Sequence, residues 1–398
     1  MSEWTTIRLG SVVRTNTTSY SPKEGWKYVN YLDTGNITEN VIDAIQNIDL
    51  ANEKLPSRAK RKVQINSILY STVRPNQKHF GIIKSMPENF LVSTGFAVID
   101  IIPDKIDADY LYFWLTQNTV VEQLHAIAEQ SVSAYPSIKA SDIENLEITL
   151  PPLTVQKSIA SILKSISDKM SHNSNINENL EQQMKAIFNK FISERSVTSK
   201  TTVENVVLTA NTGADAIQKA PIVDYDTGIR CVRVGDMTNN RSFHDWGYTK
   251  VTEEVFNRYQ LHKNDIIVTR TASLGLNTII SEDLQAVYNN GLIRLSINDK
   301  KALPLFIYRQ FQTDDFSNYI ARIESETSVR PNMKINYLLK YEFELPSLDE
   351  QNELINLFQP MNEQQSLLIN ENKMLESLRD TLLPRLMSGE LDVSDIDL

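Results

Sequence analysis

Residues 54–62 read Lys54-Leu55-Pro56-Ser57-Arg58-Ala59-Lys60-Arg61-Lys62, five positive charges in nine positions. One strand-like segment later comes a second polar run, Arg74-Pro75-Asn76-Gln77-Lys78. Arginine reads guanine, and asparagine or glutamine reads adenine, through two-pronged hydrogen bonds to base edges. Lysines beside them hold phosphates and position the reader. Two basic loops flanking one strand therefore suit a grip on a DNA duplex, with Arg58, Lys60, Arg61, Lys62, Arg74, Asn76 and Lys78 as contacts. A solvated charge run is the plain alternative for the same residues.

The rest of the chain offers no covalent chemistry. It has no GxxxxGK[ST] phosphate loop, no GxGxxG fingerprint, no HExxH and no GxSxG elbow. The five histidines, His79, His125, His172, His244 and His262, are scattered, and none is spaced to chelate a metal with a neighbour. Leu150-Pro151-Pro152 lacks the leading amide or acid and the trailing aromatic of an amino-methyltransferase motif. Asp142 and Glu144 read as solvated surface rather than an acid–base pair. The chain is thus expected to bind no metal or cofactor of its own.

The elements that would position the basic loops occur twice. Ser133-Ala134-Tyr135-Pro136-Ser137-Ile138-Lys139 returns 195 residues later as Ser328-Val329-Arg330-Pro331-Asn332-Met333-Lys334. Leu150-Pro151 pairs with Leu345-Pro346, and Gln156 with Gln351. The match continues through Asn175/Asn370, Asn177/Asn372 and Leu180/Leu375. A period near half the chain length means two copies of one structural unit. Tyr135 and Lys139, and their counterparts Arg330 and Lys334, join the candidate contacts because their turn is duplicated; a purely structural turn explains it equally well. The second copy also carries Arg230, Arg233, Arg241, Lys263, Arg270 and Asn277 at broadly comparable places, of which Arg233, Arg270 and Asn277 are carried forward.

Each copy has about 150 residues of mixed, mostly β-like sequence followed by a helical stretch. Strands are expected over 26–36, 67–73, 81–84 and 96–102, and again over 228–236, 265–270 and 291–297. A short helix over 108–124 matches one over 304–320. After Pro151-Pro152, apolar residues recur at steps of three and four from Val155 to Ile192, and the second copy repeats this from Leu354 to Leu386. The polar stretch 171–177 and Pro360 suggest a break or bend in each helix. Such stripes need cover, and pairing the two helices antiparallel supplies it. The alternative gives each helix to its own domain core.

A net charge of −10 looks wrong for a nucleic-acid binder until it is divided. Residues 1–150 carry 14 basic and 17 acidic side chains, residues 151–195 carry 6 and 4, and residues 196–345 carry 17 and 18. Residues 346–398 carry 3 and 11, so the acidity sits mostly at the end, expected to face protein rather than DNA. Cys231 is the only cysteine, which excludes an intrachain disulfide. No secretory signal or membrane span is apparent, and a cytoplasmic protein is expected.

The block SRAKRKVQINSILYSTVRPNQ, the helix openings LPPLTVQKSIASIL and LPSLDEQNELINLF, and the closing LLPRLMSGELDV together resemble the specificity (S) subunits of type I restriction-modification systems. The resemblance implies an α+β fold: two similar α/β target-recognition domains, joined by two long antiparallel helices as a coiled-coil-like spacer, in a pseudo-two-fold internal repeat. It divides the chain into recognition domain 1 (1–150), a central helical spacer (151–195), recognition domain 2 (196–345) and a C-terminal helical spacer (346–398). It also implies that each domain reads half of a split site on double-stranded DNA. Two modification (methyltransferase) subunits would dock on the helices, and restriction (translocase/nuclease) subunits would join them. S-adenosylmethionine, ATP and Mg would then reside on those partners. The competing reading is a non-catalytic protein-interaction scaffold without DNA binding.

Overall fold

The computed structural model describes residues 4–130, 136–194, 200–239, 241–326 and 332–393. By contacts the chain divides into a first unit, Met1–Asn173 with Ile369–Leu398, and a second, Ser174–Leu368.

In the first unit an antiparallel sheet runs in the order Val13–Thr15, Phe96–Ile101, Ile68–Ser71, Phe80–Ile82. A second sheet runs Gln46–Asp49, Tyr28–Leu32, Phe90–Ser93, Ala59–Arg61, with its middle two strands parallel. Thr5–Arg8 pairs with Glu147–Leu150 and brings the two ends of the β-rich region together. Ile68, Leu69 and Tyr70 are buried without alternation. The strand Ile68–Ser71 is covered on both faces, which its unbroken apolar run already implies.

The second unit repeats this plan. Its antiparallel sheet runs Val207–Thr212, Leu292–Ile297, Ile266–Thr269, Asn277–Ile279. Its other sheet holds Arg230–Val232 parallel to Ala286–Tyr288, and Lys200–Thr202 pairs with Glu342–Glu344. The copy extends to single residues. Asn66 and Asn264 both have φ of 71°, and their amides donate to Ile83 and Ile280 carbonyls. Asparagine tolerates this left-handed conformation better than most side chains. The isolated bridge Val73–Ser137 returns as Thr271–Asn332.

Several expected elements need correction: the strand expected over 26–36 spans Tyr28–Leu32 and gives way to a 3-10 turn, Thr34–Asn36. The helix expected over 108–124 is two helices, Ala108–Leu115 and Asn118–Glu129, and its counterpart is Pro304–Gln310 and Asp314–Glu326. In the second unit Thr313 makes the new start, its hydroxyl accepting from the Phe316 amide. The strand expected over 228–236 ends at Val232, because the Asp236 carboxylate accepts from the Arg233 amide and starts the helix Val234–Thr238.

The long helices run Leu153–Ser193 (41 residues) and Leu348–Met387 (40 residues) without interruption. Neither the 171–177 stretch nor Pro360 ends a helix. In the first unit Asn173, wholly buried, donates to Glu371 Oε2 at 2.8 Å and Asn372 Oδ1 at 2.9 Å. Asn372 donates back to the Met170 carbonyl at 3.1 Å. At Asn173 the polar stretch is held by the other helix, and the helix continues through it. Leu163 and Ile159 pack in the same core as Leu386 and Met387, so the helices run antiparallel here. In the second unit Met184 and Phe188 share a core with Leu354 and Phe358, again antiparallel. Phe358 is buried in this core and Met361 packs against it, on either side of Pro360, and the helix runs through the one missing amide. Both ways of covering the stripe are used: the helices pair, and each unit's core takes in their ends.

Candidate nucleic-acid interface

The first basic run lies on and before the edge strand Ala59–Arg61. This strand is fastened on both sides, to Phe90–Ser93 by its ladder and to residues 18–20 by the Tyr20 amide on the Lys60 carbonyl and the Lys62 amide on the Thr18 carbonyl. Alternation along the strand turns Ala59 inward and leaves Arg58 and Lys60 exposed. Arg58 faces Asp33. Burial opposes ionisation of Asp33, but hydrogen bonds from Ser93, the Thr34 amide and Tyr31, with the Arg58 charge, hold its carboxyl below the usual range.

Arg61 is half-buried, and loss of water lowers its guanidinium pKa from the ordinary value. Lys62 is paired with Glu24 and sits 5.1 Å from the centre of the Trp26 ring. It also lines a cleft of about 380 Å³ with Thr17, Thr18, Ser19, Gln64 and Asp100. The second run forms a short 3-10 turn, Pro75–Gln77, flanked by Arg74 and Lys78, both at positive φ (47° and 56°). Arg74 and Asn76 are exposed, and Lys78 forms an ion pair with Glu39 at 2.8 Å. The Arg74 amide donates to the Pro136 carbonyl, which ties this turn to the duplicated segment. Lys139 is exposed there.

In the second unit Arg233 and Arg270 meet in an open cleft of about 410 Å³, with Asn289, Asn290, Gly291 and Asn332. Arg270 is heavily engaged. Its Nε donates to the Met333 carbonyl at 3.0 Å, Nη1 to the Asn290 carbonyl at 3.0 Å and Nη2 to Asn332 Oδ1 at 2.7 Å. Burial lowers its pKa from the ordinary arginine value. Arg233 donates to the Ala220 carbonyl at 2.9 Å. Asn277 is placed elsewhere, hydrogen-bonded to the carbonyls of Gly275 and Phe311 and to Gln312. Lys334 is exposed ahead of the helix Ile335–Leu339. Tyr135 and Arg330 lie outside the described residues. Among the described residues no group of three or more His, Cys, Asp or Glu side chains is placed to hold a metal ion.

A family model for the type I restriction modification DNA specificity domain matches residues 1–182 and 210–377. The chain belongs to this family. Among its relatives, the type I restriction enzyme HindI specificity subunit of Haemophilus influenzae is 24% identical, over 98% of this chain and the whole of that one. The EcoBI specificity subunit of Escherichia coli is 21% identical over 76% of this chain and 70% of its own. The crystal structure of a type I restriction-modification system S subunit from M. genitalium shares the fold, with a TM-score of 0.53 at 14% identity, 97% of this chain and 96% of that one being covered.

Within this specificity-domain chain, sequence reasoning passed over the hydroxyls of Thr17, Thr18 and Ser19 and the amides Asn289, Asn290 and Asn332. Their only local signal is turn-forming composition, as in Asn289-Asn290-Gly291, which reads as a connection before it reads as a surface. No helix among the described residues is long and apolar enough to cross a membrane.

Proposed function

We propose that this chain is the DNA-reading, non-catalytic subunit of a type I restriction-modification complex. Residues 1–150 and 196–345 each take one half of a split site in double-stranded DNA. The helical segments 151–195 and 346–398 set the gap between halves and carry the docking surface for two modification subunits. Restriction subunits complete the assembly, in the cytoplasm, and S-adenosylmethionine, ATP and Mg belong to the partners.

The duplication carries this reading: one β-rich plan occurs twice, each time with basic and amide side chains on its loops. Exposed apolar residues on the C-terminal helix favour the docking role, Met374 and Leu378 in the first unit and Leu357 and Leu367 in the second. Acidic neighbours such as Glu363 and Glu376 suit a protein partner better than phosphates.

The test is a binding titration of the chain assembled with its modification subunits, on duplexes selected by that complex from random-sequence DNA. Replacing Lys60 by alanine is expected to weaken all sequences alike. Replacing a base-reading arginine is expected to cost about 1–3 kcal/mol and relax one position of the site. If Arg58, Arg61 and Arg74 all tolerate alanine with binding unchanged, that face is not the interface. Absence of any salt-dependent binding to DNA would favour the scaffold reading instead. A methylome of cells with the complete system is expected to show a split motif with one methylated adenine in each half.

A further inference from the structure

Gln156 and Gln351 occupy the same place in the two copies, and both are almost wholly buried, at 2% and 0% exposure. The Gln156 Oε1 accepts from the Asp107 amide at 2.9 Å, while its Nε2 donates to the Pro151 carbonyl at 2.9 Å. The Gln351 Oε1 accepts from the Leu303 amide at 2.8 Å, and its Nε2 donates to the Pro346 carbonyl at 2.8 Å.

Each contact lands on a junction. Asp107 and Leu303 are the residues at which the helices Ala108–Leu115 and Pro304–Gln310 begin. Pro151 and Pro346 join the last strand of each β-rich region to a long helix. An amide is the side chain that can accept at one such point and donate at the other. A half-buried backbone N–H and a buried carbonyl would both lose their partner without it, the carbonyl at the greater cost. The same two-point bond, built twice on different surroundings, holds the first turn of a long helix at a fixed angle to the unit it leaves.

We propose that Gln156 and Gln351 are positioning residues for site selection: each locks the direction in which a spacer helix leaves its own recognition unit. Gap selectivity then depends on them although neither touches DNA. This rests on the reading that the helices set the gap. The two positions are not equivalent. Ser347 donates from its amide and hydroxyl to Glu350 at 2.8 and 2.9 Å, a second anchor on the first turn of the C-terminal helix. Pro152, at the corresponding place, has no hydroxyl or amide hydrogen to do this. The central helix depends more on its glutamine.

The experiment uses the full chain in complex with its modification subunits, on duplexes carrying the selected site with the gap at its natural length and one base pair longer or shorter. With Gln156→Met, discrimination between gaps is expected to fall roughly fivefold or more, from the loss of two hydrogen bonds, one buried and one half-buried. Affinity for a duplex carrying only one half-site is expected to stay within about twofold, since the reading loops are untouched. Gln351→Met should show the same split with a smaller fall, and it serves as the test if Gln156→Met does not fold. Gap discrimination unchanged in both variants while the melting temperature drops would overturn the proposal, leaving the amides structural only. A wild-type complex that binds DNA but is indifferent to the gap would overturn the spacer reading and this inference together, and the two failures differ in whether the wild type discriminates.

Discussion

Arg270 and Lys60 both read as DNA contacts in the sequence, yet the fold gives them different work. Arg270 ties the loops at Asn290 and at Asn332-Met333 to the end of the strand Ile266–Thr269. Replacing it by alanine should destabilise the chain by about 1 kcal/mol in urea unfolding, because the Met333 carbonyl loses its donor and the two exposed acceptors turn to water. Lysine should not restore this, since one ammonium cannot reproduce the guanidinium fork. Lys60→Ala should leave stability within about 0.5 kcal/mol, as for other exposed positions, and act on DNA affinity alone. Cys231 offers a further check. Burial pushes its thiol up to about 11, so at neutral pH alkylation by iodoacetamide should be negligible in the native protein and complete after unfolding.

The long helices show what periodicity reveals and what it hides. Steps of three and four in the sequence mark both helices and their apolar stripes. They could not say that Asn173 would be buried, because a run such as Ser171–Asn177 looks like a break unless its partners are known. Those partners, Glu371 and Asn372, lie 198 and 199 residues away. Replacing Asn173 and Asn372 together by leucine should raise the melting temperature by about 2–4 °C per kcal/mol gained, because apolar packing replaces a layer that must be desolvated. Calorimetry would measure it, and a fall would mean that the amides contribute more than packing. In the second unit Arg309 is buried with Glu181, Asn362 and the Phe358 ring around it. Arg309→Ala should cost about 2–3 kcal/mol, less than a fully buried pair, since Glu181 keeps 42% of its side-chain exposure and can turn to water.

For the whole molecule the net charge of −10 and the proposed DNA binding are compatible only if contact is local. Affinity of the assembled complex should then fall linearly in log–log form as salt rises. Six to ten phosphate contacts would give a loss of roughly 10³ to 10⁵ between about 50 and 200 mM salt. Lys60→Ala should reduce that slope by about 1. A slope near zero would remove phosphate contacts from the account.

By itself the sequence determined the duplication, the two amphipathic helices, the mixed β-rich units and the missing catalytic motifs, because all of these are local or periodic. It also placed Gln156 opposite Gln351 in the repeat, without saying what either does. Only the tertiary structure decided which partners within the fold the polar side chains meet. Lys62 goes to Glu24, Asn277 to the Phe311 carbonyl and Arg270 to Met333, across separations of 38, 34 and 63 residues. A hydrogen bond depends on where its partner's backbone arrives in space, and composition carries no record of that.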